Sequence, residues 1–245
     1  MPVQEFLLDE PSIPWMRSET ESKYAKGYYW KRMSDGLEGR PYAHIMSIPQ
    51  GADTSEAHFH PAAQFQIMLE GDMVFPHLSL GELELHYTDT STAYGPFGVG
   101  TDTARSVCAV LRAKAAGITW KWEDGYRKEM NRGGRELVGR TKSVPWVEMT
   151  GEMAGVRRKV MFGEDHEDGP KAHMLECPPD LVIRRAPAPH GEYQMLVKGT
   201  ARIGNRGMRP FTMRYVVGDE SPEDLICGPE GATWVMLTFD ETSLD

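Results

Sequence analysis

A chain of 245 residues, 40% of them hydrophobic and 26% charged, is long enough to bury a large core and too apolar to stay disordered. It fits one large domain or two of roughly 100–120 residues. A formal net charge of −9, with no basic run denser than Arg157-Arg158-Lys159, argues against nucleic acid and anionic membrane surfaces as partners.

In chain order, short strands are predicted at Tyr42–Ile48, Gln64–Leu69, Glu82–Tyr87 and Ser106–Arg112, separated by Gly, Pro, Asp and Asn. A short helix follows over Glu123–Met130, stopped where Gly133-Gly134 relieves the left-handed cap. Residues 121–150 read as a connector. Further strands are predicted at Arg157–Phe162, Leu181–Arg185, Tyr193–Val197, Thr212–Val217 and Thr233–Phe239. The first basic and apolar stretch of a secretory leader is missing, and no run reaches the ~18–20 apolar residues of a membrane span. Cys108, Cys177 and Cys227 form no CxxC pair and read as buried, reduced thiols. A cytoplasmic protein is expected.

The chain repeats itself. At an offset of 128 residues Gln64-Phe65-Gln66-Ile67-Met68-Leu69-Glu70-Gly71 falls on Glu192-Tyr193-Gln194-Met195-Leu196-Val197-Lys198-Gly199. At the same offset Leu83–Tyr87 falls on Phe211–Tyr215, and after a slip of five residues Gly95-Pro96-Phe97-Gly98 falls on Gly228-Pro229-Glu230-Gly231. Three blocks in one order mean two homologous β-domains, at about 25–120 and 151–245.

The chemistry concentrates in Ala57–Gly71. Alternation along a strand puts His58 and His60 on one face with Phe59 opposed, so two imidazoles can share one cation. Pro61 ends that strand, and Gln64 opens the next in position to bring a third donor.

These residues resemble the motifs of the cupin superfamily. A His-x-His pair, a polar ligand and a later Gly are met by His58, His60, Gln64 and Gly71, with Gln64 where that family has Glu. Its second motif, Pro-x-Gly followed by a His, is met by Pro96 and Gly98, but Thr101 stands at the His position. The resemblance implies an all-β fold of two double-stranded β-helix (jelly-roll) barrels in tandem, with few short helices. It also implies a divalent metal, iron first, with manganese, nickel or zinc as alternatives.

His86 or His77 could supply the missing imidazole. His86 is preferred, because Leu83, Leu85 and Tyr87 alternate with Glu84 and His86. In the second copy His58, His60 and His86 become Ala186, Ala188 and Arg214, and only Glu192 remains as a candidate ligand, so that copy is expected to be degenerate. His190 could join Glu192 in a lesser polar site. His166 lies in an acidic loop and reads as a solvated linker residue.

The expected function is a mononuclear non-haem iron dioxygenase acting on a small anionic chelating substrate, with Tyr87 and Tyr94 orienting bound oxygen. A redox-neutral lyase or isomerase and a non-catalytic small-molecule binder stay open, as do the substrate's identity and a homodimer.

Overall fold

The computed structural model describes residues 4–7, 13–18, 27–34, 39–163, 169–218 and 222–243. Among the described residues strands dominate, with one α-helical turn and two short 3-10 turns. No helix among the described residues is long and apolar enough to cross a membrane. The chain divides into two compact units, Glu10–Gly139 with Thr242–Asp245, and Arg140–Glu241 with Met1–Asp9.

In the N-terminal unit seven strands pair in the order Glu136–Gly139, Leu85–Thr88, Gln64–Glu70, Arg105–Arg112, Tyr42–Pro49, Tyr29–Arg32 and Met16–Arg17. Every junction is antiparallel, so residues directly opposite one another share a face. One face carries Gln64, Gln66 and Met68 beside Arg112, Val110 and Cys108, then Tyr42, His44 and Met46. Shorter strands and bridges form a second layer, in which His58–Phe59 pairs with Thr119–Trp120 and His58 bridges Tyr94. The other face of the large sheet carries Phe65, Ile67, Leu85, Ala109 and Leu111, all fully buried. A half-polar alternating strand would face water on one side; both faces are covered here, and the polar alternates line an interior cavity instead.

The C-terminal unit is a nine-stranded sheet. Its main path runs Gln4–Leu7, Thr212–Gly218, Ala188–Ile203, Leu225–Thr238, Lys171–Cys177, Arg157–Phe162 and Val147–Glu148. Its core is a cluster centred on Trp234, Leu196, Leu175 and Ile203. The repeat in the sequence is a repeat of register. Phe65 pairs with Tyr87 and Gln66 with His86; Tyr193 pairs with Tyr215 and Gln194 with Arg214, each displaced by the same 128 residues. Gly71 and Gly199 explain why glycine survives in both copies. Each has positive φ (70° and 80°), and a Cβ would collide with the backbone carbonyl of Arg105 or Gly231.

Three details differ from the sequence expectation. The helix is one turn, Tyr126–Glu129, because Gly125 provides no side-chain cap. The strand expected at Glu82–Tyr87 begins only at Leu85, after Leu83 turns the chain at φ 59°. Residues 136–139, within the expected connector, pair with Leu85–Thr88 and extend the first sheet.

Candidate functional site

The interior face of the N-terminal unit opens into a cavity of about 380 Å³. Tyr28, Trp30, Tyr42, Phe97, Ile118 and Trp120 supply most of its apolar wall; His44, His58, His60, Gln66, Tyr94 and Arg112 supply its polar groups. Among the described residues no Asp or Glu lines it, and Arg112 is the one lining residue with a fixed charge.

The two histidines of the sequence motif meet as expected, with ring centroids 5.2 Å apart. Each Nδ1 lies against a backbone carbonyl, His58 against Glu56 at 2.7 Å and His60 against Gly117 at 2.5 Å. Each Nδ1 therefore keeps its proton, and each Nε2 presents a lone pair to the cavity. Those lone pairs are taken. The Tyr94 hydroxyl donates to His58 Nε2 at 2.9 Å, and Arg112 Nη2 donates to His60 Nε2 at 2.9 Å. Arg112 Nε donates to Gln64 Oε1 at 3.0 Å. The guanidinium thus spans two of the three groups that the motif offered to a metal.

Burial sets the protonation states. It pushes His44 down to about 3 and His58 down to about 4, with Arg112 adding to both, while the Glu56 carbonyl resists at His58. His60 is held well below its ordinary value, first by burial and then by Arg112. All three imidazoles are neutral at neutral pH. Burial pushes the Tyr94 hydroxyl up to about 12, although Arg112 and the Gln64 amide pull it down. The cavity is a low-dielectric space with one cation and several neutral bases.

The remaining expected site residues fall elsewhere. His86 lies on the interior face, but its Nδ1 is bonded to Gln66 Oε1 and its Nε2 to Glu136 Oε1, both at 2.8 Å. This pairing holds Glu136 below its ordinary value. His77, 55% exposed, reaches the same carboxylate at 3.3 Å. Tyr87 is a correction. Strand alternation turns it to the face opposite His86, where it packs on Phe65 and its hydroxyl meets Asp89 at 3.0 Å and Ser243 at 3.3 Å. It cannot touch anything bound in the cavity. Thr101 is exposed, and His166 lies outside the described residues.

Sequence reasoning missed Arg112, His44 and Gln66. The alternation of Ser106, Cys108, Val110 and Arg112 placed Arg112 on one face, but nothing local said that the face was Gln64's. That comes from register between strands almost fifty residues apart.

At the corresponding position of the C-terminal unit, Glu192 stands where Gln64 stands. Arg185 Nη2 donates to both its oxygens at 2.5 and 2.7 Å, Gln194 Nε2 donates at 2.5 Å and the Thr238 hydroxyl at 3.0 Å. His190 is not among its partners. Burial alone would raise the Glu192 carboxyl, but Arg185, Gln194 and His173 together outweigh it and hold it down.

No protein-family model and no curated protein sequence matches the chain. Solved structures match it over nearly its whole length. A protein from Nostoc punctiforme, named provisionally as a dioxygenase, aligns with TM-score 0.72 at 11% identity, covering 98% of this chain and 84% of its own. Oxalate decarboxylase of Bacillus subtilis, a protein with Mn(II) centres, gives 0.63 at 12% over 97% and 77%. Quercetin 2,3-dioxygenase of Acinetobacter baumannii gives 0.56 at 15% over 97% and 79%. The fold is the cupin fold, present twice. At these identities the likeness shows the fold, and the chemistry must come from this chain's own cupin cavity.

That cavity does not fit a divalent metal. Two imidazoles and an amide bring no negative charge, and a guanidinium already bridges His60 and Gln64. At about 4 Å and an effective dielectric near 20 a dication and a guanidinium repel by roughly 8 kcal/mol, twice the value for two unit charges. Among the described residues no group of three His, Cys, Asp or Glu side chains could hold a metal.

Proposed function

We propose that the N-terminal cupin unit is an enzyme for a small organic anion with a flat apolar body, anchored by Arg112 and worked on by His58 and Tyr94. The observation that carries this reading is the buried guanidinium in an aromatic cavity, with no carboxylate among the described residues of its wall. A buried cation favours an anionic ligand, and a planar guanidinium suits a carboxylate or enolate in particular. Trp30, Tyr42 and Trp120 would pack on the ligand's body. His58 is neutral and accepts the hydrogen bond of the Tyr94 hydroxyl, so Tyr94 can take a ligand proton at its oxygen as its own passes to His58 Nε2, and the reverse shift returns it. This is acid–base chemistry of lyase or isomerase type.

Calorimetric titration with a panel of aryl and short-chain carboxylates, each matched to its neutral amide, tests the reading. Binding of at least one carboxylate with its amide inert supports it; equal affinity for acid and amide overturns it.

The iron dioxygenase is the second reading. Favouring it are the inward-turned Nε2 atoms, each with Nδ1 tied to a carbonyl, and a fold shared with proteins named as dioxygenases. It requires Arg112 to give up His60 and Gln64. Oxygen uptake triggered by a bound acid in protein supplied with Fe²⁺, and absent without it, would select it.

A further inference from the structure

We infer that the Arg112 guanidinium stands in the N-terminal unit in place of a metal ion, so that this cupin site keeps a permanent organic cation and excludes an inorganic one. The inference rests on the proposed anion site for its use, but not for its test.

His60 Nε2 and Gln64 Oε1 are two of the donors that the sequence motif offers to a metal, and both are acceptors for one guanidinium, at 2.9 and 3.0 Å. Arg112 is 6% exposed and is held from the other side by the Tyr42 ring, 5.3 Å from its centre. A guanidinium cannot deprotonate to make room in the accessible pH range. Gln64 is the matching half of the exchange. A Glu at that position would form a buried ion pair with Arg112; the amide accepts the hydrogen bond and adds no charge of its own. The C-terminal unit shows that alternative. There Glu192 occupies the equivalent position, and Arg185 neutralises it. Substitution of carboxylate by amide and placement of arginine beside it are therefore one device.

The experiment is a Co²⁺ titration followed by ligand-field absorption and calorimetry, with metal analysis of the purified chain. Four proteins are compared: wild type, Arg112→Met, Arg112→Met with Gln64→Glu, and Arg112→Lys. Wild type and Arg112→Lys should carry less than a tenth of an equivalent of metal and show no visible bands. The double variant, with two imidazoles and a carboxylate, should take up one Co²⁺ per chain at least 100-fold more tightly than wild type. Far-UV circular dichroism reports whether each variant is folded. A full equivalent of metal in wild type, or a folded double variant that binds Co²⁺ no better than wild type, overturns the inference. If the double variant does not fold, wild type decides alone. Carboxylate affinity unchanged by a strong chelator supports the inference, and its loss overturns it. Failure of every carboxylate to bind would instead remove the proposed function while leaving the metal comparison to stand.

Discussion

At the rung Gln66–His86 in the N-terminal unit, and at Gln194–Arg214 in the C-terminal unit, one backbone pairing carries two kinds of electrostatics. In the first unit neutral histidines and a neutral amide surround a single guanidinium, and space is left beside them. In the second, Glu192 and Arg185 close on each other, Gln194 and Arg214 continue the chain of bonds, and alanines stand where the histidines were. The charge with room beside it is the proposed binding site. A charge satisfied at every oxygen is a structural element.

Four experiments would break or sharpen that contrast. The largest effect is expected at Arg185. Arg185→Met leaves the Glu192 carboxylate buried beside a lost partner and should cost about 3–5 kcal/mol of stability, read by chemical denaturation, while carboxylate binding stays unchanged. Arg185→Met combined with Glu192→Met should recover most of the loss; no recovery would mean that the pair is not acting as a pair.

The mirror-image change, Arg112→Met, should do the reverse. It should weaken carboxylate binding by roughly 30- to 150-fold, about 2–3 kcal/mol for a charge-assisted hydrogen bond, with a smaller effect on stability. A titration in which Arg112→Met binds the acid like wild type would remove the distinction between the units.

Acid should also separate them. His44 and His58 have folded-state values below the ordinary 6.5, so the unfolded chain binds protons first as pH falls. The stability tied to their neutral forms is present above pH 6.5 and is lost progressively down to about pH 4 for His58 and 3 for His44. Among the described residues the C-terminal unit has one such residue, His173, lowered by burial to about 4. Melting curves from pH 7 to 4 should fall less steeply for His44→Gln than for wild type, and parallel curves would argue against the shift.

The smallest effects distinguish the two tyrosines. Tyr94→Phe should slow turnover, since His58 Nε2 loses its hydroxyl partner. Tyr87→Phe should cost about 0.5–1.5 kcal/mol of stability through its bonds to Asp89 and Ser243 and leave binding untouched. A kinetic defect from Tyr87→Phe would contradict its placement.

The fold was legible because period-two alternation and the internal repeat are local signals, and register preserved the same offset. The histidine pair was legible for the same reason. Tyr87 could have been rejected in advance, since the alternation that puts His86 on one face puts Tyr87 on the other. Arg112 could not be found that way. Its partners Gln64 and His60 are chosen by which strands become neighbours, a long-range property that no window of sequence contains. The coordinating role expected for His86 depended likewise on Glu136, brought alongside by a strand that looked like linker.

The strand Gln4–Leu7 pairs with Thr212–Gly218, Gln4 opposite Tyr215. The ribosome therefore releases one edge of the C-terminal sheet some two hundred residues before the strand that receives it. The intervening polypeptide can fold the N-terminal unit during that delay, but the second sheet cannot be finished until Thr212–Gly218 has been made. Until then Gln4–Leu7 waits without its sheet neighbour, open to a strand from another nascent chain. Removal of Gln4–Leu7 would thus be felt in the second sheet, on the far side of the N-terminal unit in the sequence.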